Sequence, residues 1–166
     1  MNYPKRKYPR LKAYDYRLPG YYYITIHGAK SAPALSCIRA AAPGKRAVVI
    51  LTKQGLVAQQ QLLALEHRYD HLKVDKYVIM PTHIHVIFRL LETGRSPESC
   101  ASIPDIVGAY KSITTREINR SCNTPGQRQF QTSFYDTILR NEKAYQECWL
   151  YIDGNPDKWY AHPDNL

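Results

Sequence analysis

The chain has 166 residues, 44% of them hydrophobic, which is enough for one domain with one core. Its 23 Lys and Arg outnumber its 14 Asp and Glu for a net charge of +9, which makes a polyanion the default partner, because cations displace condensed counterions from phosphates whatever the base sequence. No apolar run approaches the roughly 20 residues of a membrane span, the N-terminus MNYPKRKYPRLK lacks a signal-peptide core, and Cys37, Cys100, Cys122 and Cys148 make no close metal or redox pair, so the expectation is a cytoplasmic protein with free thiols.

Residues 1–12 carry Lys5, Arg6, Lys7, Arg10 and Lys12 with no acid and two prolines, and read as a basic arm, either laid on nucleic acid or simply solubilising. Tyr21 to His27 follows the Pro19-Gly20 turn and is β-branched and aromatic, hence a strand. Gly28 to Arg46 is rich in Ala, Pro and Gly without periodicity and is expected to be a loop. Ala47 to Leu51 reads as a short strand, and Gly55 to Tyr69 as a helix with Leu62, Leu65 and Tyr69 at near-helical spacing. VDKYVIM and HIHVIFRL are strands joined through Pro81-Thr82, a hairpin.

Ser102 with Asp105 makes a capping box for a second helix with an Ile106, Val107, Tyr110, Ile113 stripe and Lys111 opposite. Asn119 to Gln131 reads as loop, SFYDTIL as a strand, and Asn141 as the N-cap of a last helix that buries Tyr145, Cys148 and Ile152 and ends near Gly154, before Pro156. The order β, β, α, β, β, α, β, α predicts an α+β fold of ferredoxin-like type, an antiparallel-rich sheet with helices packed on one face.

Two signals carry chemistry. His83 and His85 are two apart in a strand, so they share a face, while Ile84, Val86, Phe88 and Leu90 take the other, which puts the histidines on the open side of the sheet. Two neutral imidazoles there can hold one divalent metal, or can be a chance His-x-His on a wet strand. Tyr151 and Asn155 lie one helical turn apart, on a face distinct from that of Tyr145, Cys148 and Ile152. A metal on two imidazoles and a carboxamide would polarise a phosphodiester that a phenol could attack. The excess of tyrosine, 14 against 3 Phe, leaves sheet packing, base stacking and nucleophilic attack all open for the others.

At these residues the chain resembles the single-tyrosine HUH transposases, in particular the REP-associated tyrosine transposase branch and its bacterial transposase-like relatives. The segments that carry the resemblance span nearly the whole chain: RLKAYDYRLPGYYYITIH, YVIMPTHIHVIF, IVGAYKSITTREIN, FQTSFYDTILRNE and YIDGNPDKW. The resemblance implies one transposase domain over residues 1–166 with an HUH endonuclease fold. It implies Mg²⁺ or Mn²⁺ on His83, His85 and Asn155, Tyr151 as nucleophile, and metal-dependent nicking and rejoining of single-stranded DNA through a 5′-phosphotyrosine at hairpins of palindromic repeats. It also implies a homodimer. Asp157 stands where relatives often carry an apolar residue. DNA contacts are expected from Lys5, Arg6, Lys7, Arg10, Lys12, Tyr14 and Lys111. Two other readings stand beside this one: a hairpin-binding regulator derived from a transposase, and a phosphodiesterase that hydrolyses through water.

Overall fold

Alternating tyrosine and isoleucine side chains in GYYYITIH place Tyr22, Ile24 and Ile26 on one face of a strand and Tyr21, Tyr23, Thr25 and His27 on the other. This strand, β1 (Gly20–His27), lies inside a four-stranded sheet. The computed structural model describes residues 11, 13–40, 42 and 44–161. The chain continues through β2 (Ser36–Ala40), β3 (Ala47–Leu51), α1 (Lys53–Arg68), β4 (Leu72–Ile79), β5 (His83–Leu90), α2 (Ile103–Cys122), β6 (Tyr135–Leu139) and α3 (Glu142–Ala161). The sheet order is β4-β5-β1-β6, and each neighbouring pair is antiparallel. Strands β2 and β3 form a separate two-stranded ribbon.

Helices α1 and α2 cover one face. There Tyr22, Ile24, Ile26, Ile84, Val86, Phe88 and Leu90 pack with Leu62 and Leu65 of α1 and Ile106, Val107 and Tyr110 of α2. Sequence signals start both helices: the Thr52 hydroxyl accepts the Gly55 N–H at 3.2 Å, and Ser102 and Asp105 form the expected capping box. The α+β class and antiparallel sheet agree with the sequence reading. The placing of helices on one face holds for α1 and α2 only, because α3 crosses the opposite face, where Cys148 and Ile152 pack on Tyr23, Ile87 and Leu139. The histidine face is therefore roofed rather than open.

Three further expectations are corrected. The segment from Gly28 to Arg46 contains β2, whose SCIRA sequence has little intrinsic strand preference and becomes a strand by pairing from Ser36↔Leu51 to Ala40↔Ala47. Helix α2 runs to Cys122, four residues into the expected loop, and closes on left-handed Asn123 (φ 54°). Helix α3 starts as expected, with the Asn141 carboxamide accepting the Ala144 N–H at 2.8 Å, but it continues through Pro156 to Ala161.

Tertiary contacts carry α3 past the proline. Asp157 accepts the Ala47 N–H at 2.6 Å and Arg46 Nε at 3.1 Å, while Asp153 accepts Arg46 Nη1 at 2.8 Å and Lys76 Nζ at 2.7 Å. The ribbon and the sheet thus grip the last turns of α3, and Asn155 and Pro156 are buried beneath them. A register shift between Val74 and Lys76 supports the same contact. It leaves Val74 and Tyr77 on the α1/α2 face yet turns Lys76 toward α3, where its ammonium sits 3.7 Å from the Trp149 ring centre.

Candidate active site

The β1–β5 register sets His27 opposite His83 and Thr25 opposite His85, so four polar side chains of two strands share the face under α3. The His83 and His85 ring centres are 4.5 Å apart, and His27 lies 5.6 Å from His83. Helix α3 runs over them with Tyr151 5.4 Å from His85 and Trp159 5.8 Å from His83, ring centre to ring centre. Asn155 is one turn from each of those helix residues, on the stripe that passes over the histidine pair. The structure thus brings His83, His85, Tyr151 and Asn155 to one place.

Separate stripes for Tyr151 and for the helix core do not survive. Tyr151 is half-buried against the same cluster as Cys148 and Ile152, and its ring meets Tyr23 edge-on at 6.3 Å. Asn155 is only 8% exposed. The Lys158 ammonium lies 5.1 Å from the Tyr151 ring centre and puts a cation beside the phenol.

Burial governs the protonation of the histidines. It lowers the His83 pKa to about 4, helped by the charge of nearby His27, and that of the 5% exposed His85 to about 2, helped by His83 and His27. Both imidazoles are neutral near pH 7. His85 Nδ1 lies 2.8 Å from the Tyr23 hydroxyl and 3.0 Å from the Thr25 hydroxyl, which leaves Nε2 as its available nitrogen. Burial also raises the Tyr23 pKa, so that hydroxyl keeps its proton. His83 Nδ1 is 3.1 Å from the Thr82 hydroxyl.

Two neutral imidazoles with engaged Nδ1 atoms and the carboxamide of a buried residue, Asn155, fit a hard cation held loosely. Among the described residues no three His, Cys, Asp or Glu side chains are grouped to hold a metal, so a cation on His83 and His85 would need a donor of another type, and Asn155 on the overlying helix carries one.

The remaining candidates fall elsewhere. Lys5, Arg6, Lys7, Arg10 and Lys12 lie outside the described residues. Tyr14 is half-buried, 5.3 Å from the Tyr16 ring and 6.4 Å from Tyr22. Tyr22 and Tyr23 are buried in the two packed faces. Lys111 Nζ donates to the Thr132 carbonyl at 2.7 Å. His27 was missed by sequence reasoning; alternation within GYYYITIH places it with Tyr23 and Thr25, but its proximity to His83 depends on the β1–β5 register.

No family model matches the sequence. An uncharacterized protein of Haemophilus influenzae is 27% identical over 169 residues, covering 93% of this chain and 89% of that protein. Among solved structures, a REP-associated tyrosine transposase bound to a REP hairpin superposes with a TM-score of 0.58 at 17% identity, covering 90% of this chain and 73% of that one. A candidate transposase from Deinococcus radiodurans R1 superposes with a TM-score of 0.52 at 15% identity, over 87% of this chain and 95% of its own. The chain has the fold of these transposases.

Proposed function

We propose that this protein is a REP-associated-type tyrosine transposase of the HUH superfamily: a metal-dependent single-stranded DNA endonuclease and strand transferase acting at hairpin or palindromic DNA. The observation that carries the reading is the meeting of Tyr151 with His85 and His83 beneath α3. The structural neighbour bound to a REP hairpin supports the substrate class.

In this reading His83, His85 and Asn155 hold Mg²⁺ or Mn²⁺. The cation, when bound, supplies charge for the phosphate oxygens. The Tyr151 oxygen attacks phosphorus and its proton passes to water, which the half-exposed side chain can reach. The P–O bond to the 3′ oxygen breaks, and that oxygen leaves as a 3′-OH after taking a proton from water. Attack by a 3′-OH on the phosphotyrosine reverses these steps and rejoins strands. Tyr23 and Thr25 orient the His85 ring, and Lys158 adds positive charge beside the attacked phosphate.

Incubation with a labelled hairpin bearing a single-stranded flank and Mn²⁺ should yield a denaturant-stable protein–DNA adduct. Tyr151→Phe should abolish it, and His83→Ala should lower it by at least about 100-fold while binding persists. Cleavage that survives Tyr151→Phe would mean attack by water. Tight binding without any adduct would make the protein a hairpin-binding regulator.

A further inference from the structure

We propose that exposed Tyr135 and the basic cavity beside it hold the single-stranded DNA that flanks the cleaved phosphate. This deepens the function proposed above and rests on it. The strand registers place Tyr135 opposite Thr25, and Thr25 opposite His85, in one row across β6, β1 and β5. Side chains in one row share a face, so Tyr135 stands on the histidine side of the sheet, about 10 Å from His85 at two strand spacings.

Unlike Tyr22 and Tyr23, Tyr135 is 64% exposed, on edge strand β6. Its ring meets His27 edge-on at 5.6 Å, and His27 is 5.6 Å from His83, so a continuous line of rings leads from Tyr135 to the histidine pair. An aromatic face left open beside a phosphate-processing site is suited to an unpaired base. Such stacking is tolerant of base identity because every base has a π face.

Two residues before Tyr135 in the chain, Ser133 enters the wall of a cavity of about 520 Å³ that is also lined by Lys30, Ser31, Arg128 and Thr132 among others, with no acidic residue in its wall. Lys30 is exposed and has no hydrogen bond or ion pair among the described residues. Arg128 donates through Nε to the Phe130 carbonyl at 3.0 Å and through Nη2 to the Thr132 hydroxyl, which steadies the guanidinium and leaves other N–H groups available.

The walls are tied to the strand that carries His27. Gln131 N–H donates to the His27 carbonyl at 2.9 Å, and Ala29 N–H to the Gln129 carbonyl at 2.9 Å. Lys111 holds the wall residue Thr132 through a bond to its carbonyl. Two cations without an acid, held in fixed relation to the histidines, complement the phosphates of a strand whose base rests on Tyr135.

Two probes test this by fluorescence anisotropy in EDTA, so that binding is read without cleavage: a DNA hairpin with an oligothymidylate flank of about ten residues, a length within one binding site, and the same hairpin without the flank. Tyr135→Ala should weaken the flanked probe at least about fivefold and leave the blunt one unchanged, whereas Tyr135→Phe should keep wild-type affinity. Lys30→Ala and Arg128→Ala should each reduce the log–log salt slope on the flanked probe by about 0.7, one phosphate each. Thermal melts of all variants should match wild type.

Equal affinity of Tyr135→Ala and wild type for the flanked probe would overturn the proposal. Equal losses on both probes would overturn it too. If wild type binds the probe and forms the Tyr151 adduct but Tyr135→Ala is indifferent, only the flank site falls. Failure of wild type to bind either probe removes the site and the function together.

Discussion

His83 and His85 acquire their chemistry from burial. On an open strand their imidazoles would titrate near the ordinary value of 6.5 and spend part of the physiological range protonated; under α3 they stay neutral, the form a metal requires. The same burial has a stability consequence. Between the ordinary value and the folded-state pKa of about 4 for His83, the unfolded chain binds a proton that the folded chain does not. The unfolded state is therefore favoured as pH falls, so stability drops progressively from about pH 6.5 toward pH 4 and is unaffected by these groups above that window. Melting of metal-free protein across this range should show the fall, and His83→Gln should flatten it in part, since His85 and His27 shift in the same direction. An equal slope in the variant would exclude His83 as its source. At this scale the sequence was legible: His83, His85, Tyr151 and Asn155 stand out by spacing, and the structure gathers them. His27 does not stand out, because a lone histidine at a strand end has no local pattern to mark it.

Helix α1 is seated by Gly55, whose position a Cβ would turn into a clash: the added carbon would lie 1.9 Å from the Leu35 carbonyl oxygen. That oxygen also accepts the Thr52 N–H and lies on the chain entering β2, so it cannot swing aside as a side chain could. Gly55→Ala should cost about 3 kcal/mol, the upper end for overpacking, which corresponds to roughly 6–12 °C in Tm for a chain of this size. A melt within 2 °C of wild type, on the same scale, would show that the ribbon yields instead. Elements with strong local signals were readable: the body of α1, the capped starts of α2 and α3, and the β4–β5 hairpin. Strand β2 was not, because SCIRA gains its conformation only from β3. The end of α3 was not either. Pro156 favours termination locally, and the helix persists because Asp153 and Asp157 bind Arg46, Ala47 and Lys76 from distant segments. Asp157, unusual beside the family the sequence resembles, thereby has a structural partner in Arg46, at the end of the segment first read as a loop.

Across the molecule, the two packed faces do different work. The α1/α2 face holds the larger cluster, from Tyr16 and Tyr22 to Phe134, and it is built without any donor of the proposed metal site. Metal should therefore tune the protein rather than fold it. At ten times its Kd a divalent cation would add about 1.4 kcal/mol, or roughly 3–6 °C in Tm, and circular dichroism in EDTA should retain the full folded signal. Unfolding on chelation would show instead that α3 docks only through the metal.

Period-two alternation and helix caps are properties of neighbouring residues, so the sequence by itself determined every strand but β2, the shared face of His83 and His85, the one-turn spacing of Tyr151 and Asn155, and the cationic balance that points to nucleic acid. Only the tertiary structure decided that α3 roofs the histidine face, that His27 joins His83, that the segment after β1 folds back as a ribbon to grip α3, and that Tyr135 alone of its row stays open. Those outcomes depend on strand register and on contacts between residues far apart in the chain, which local propensity does not encode.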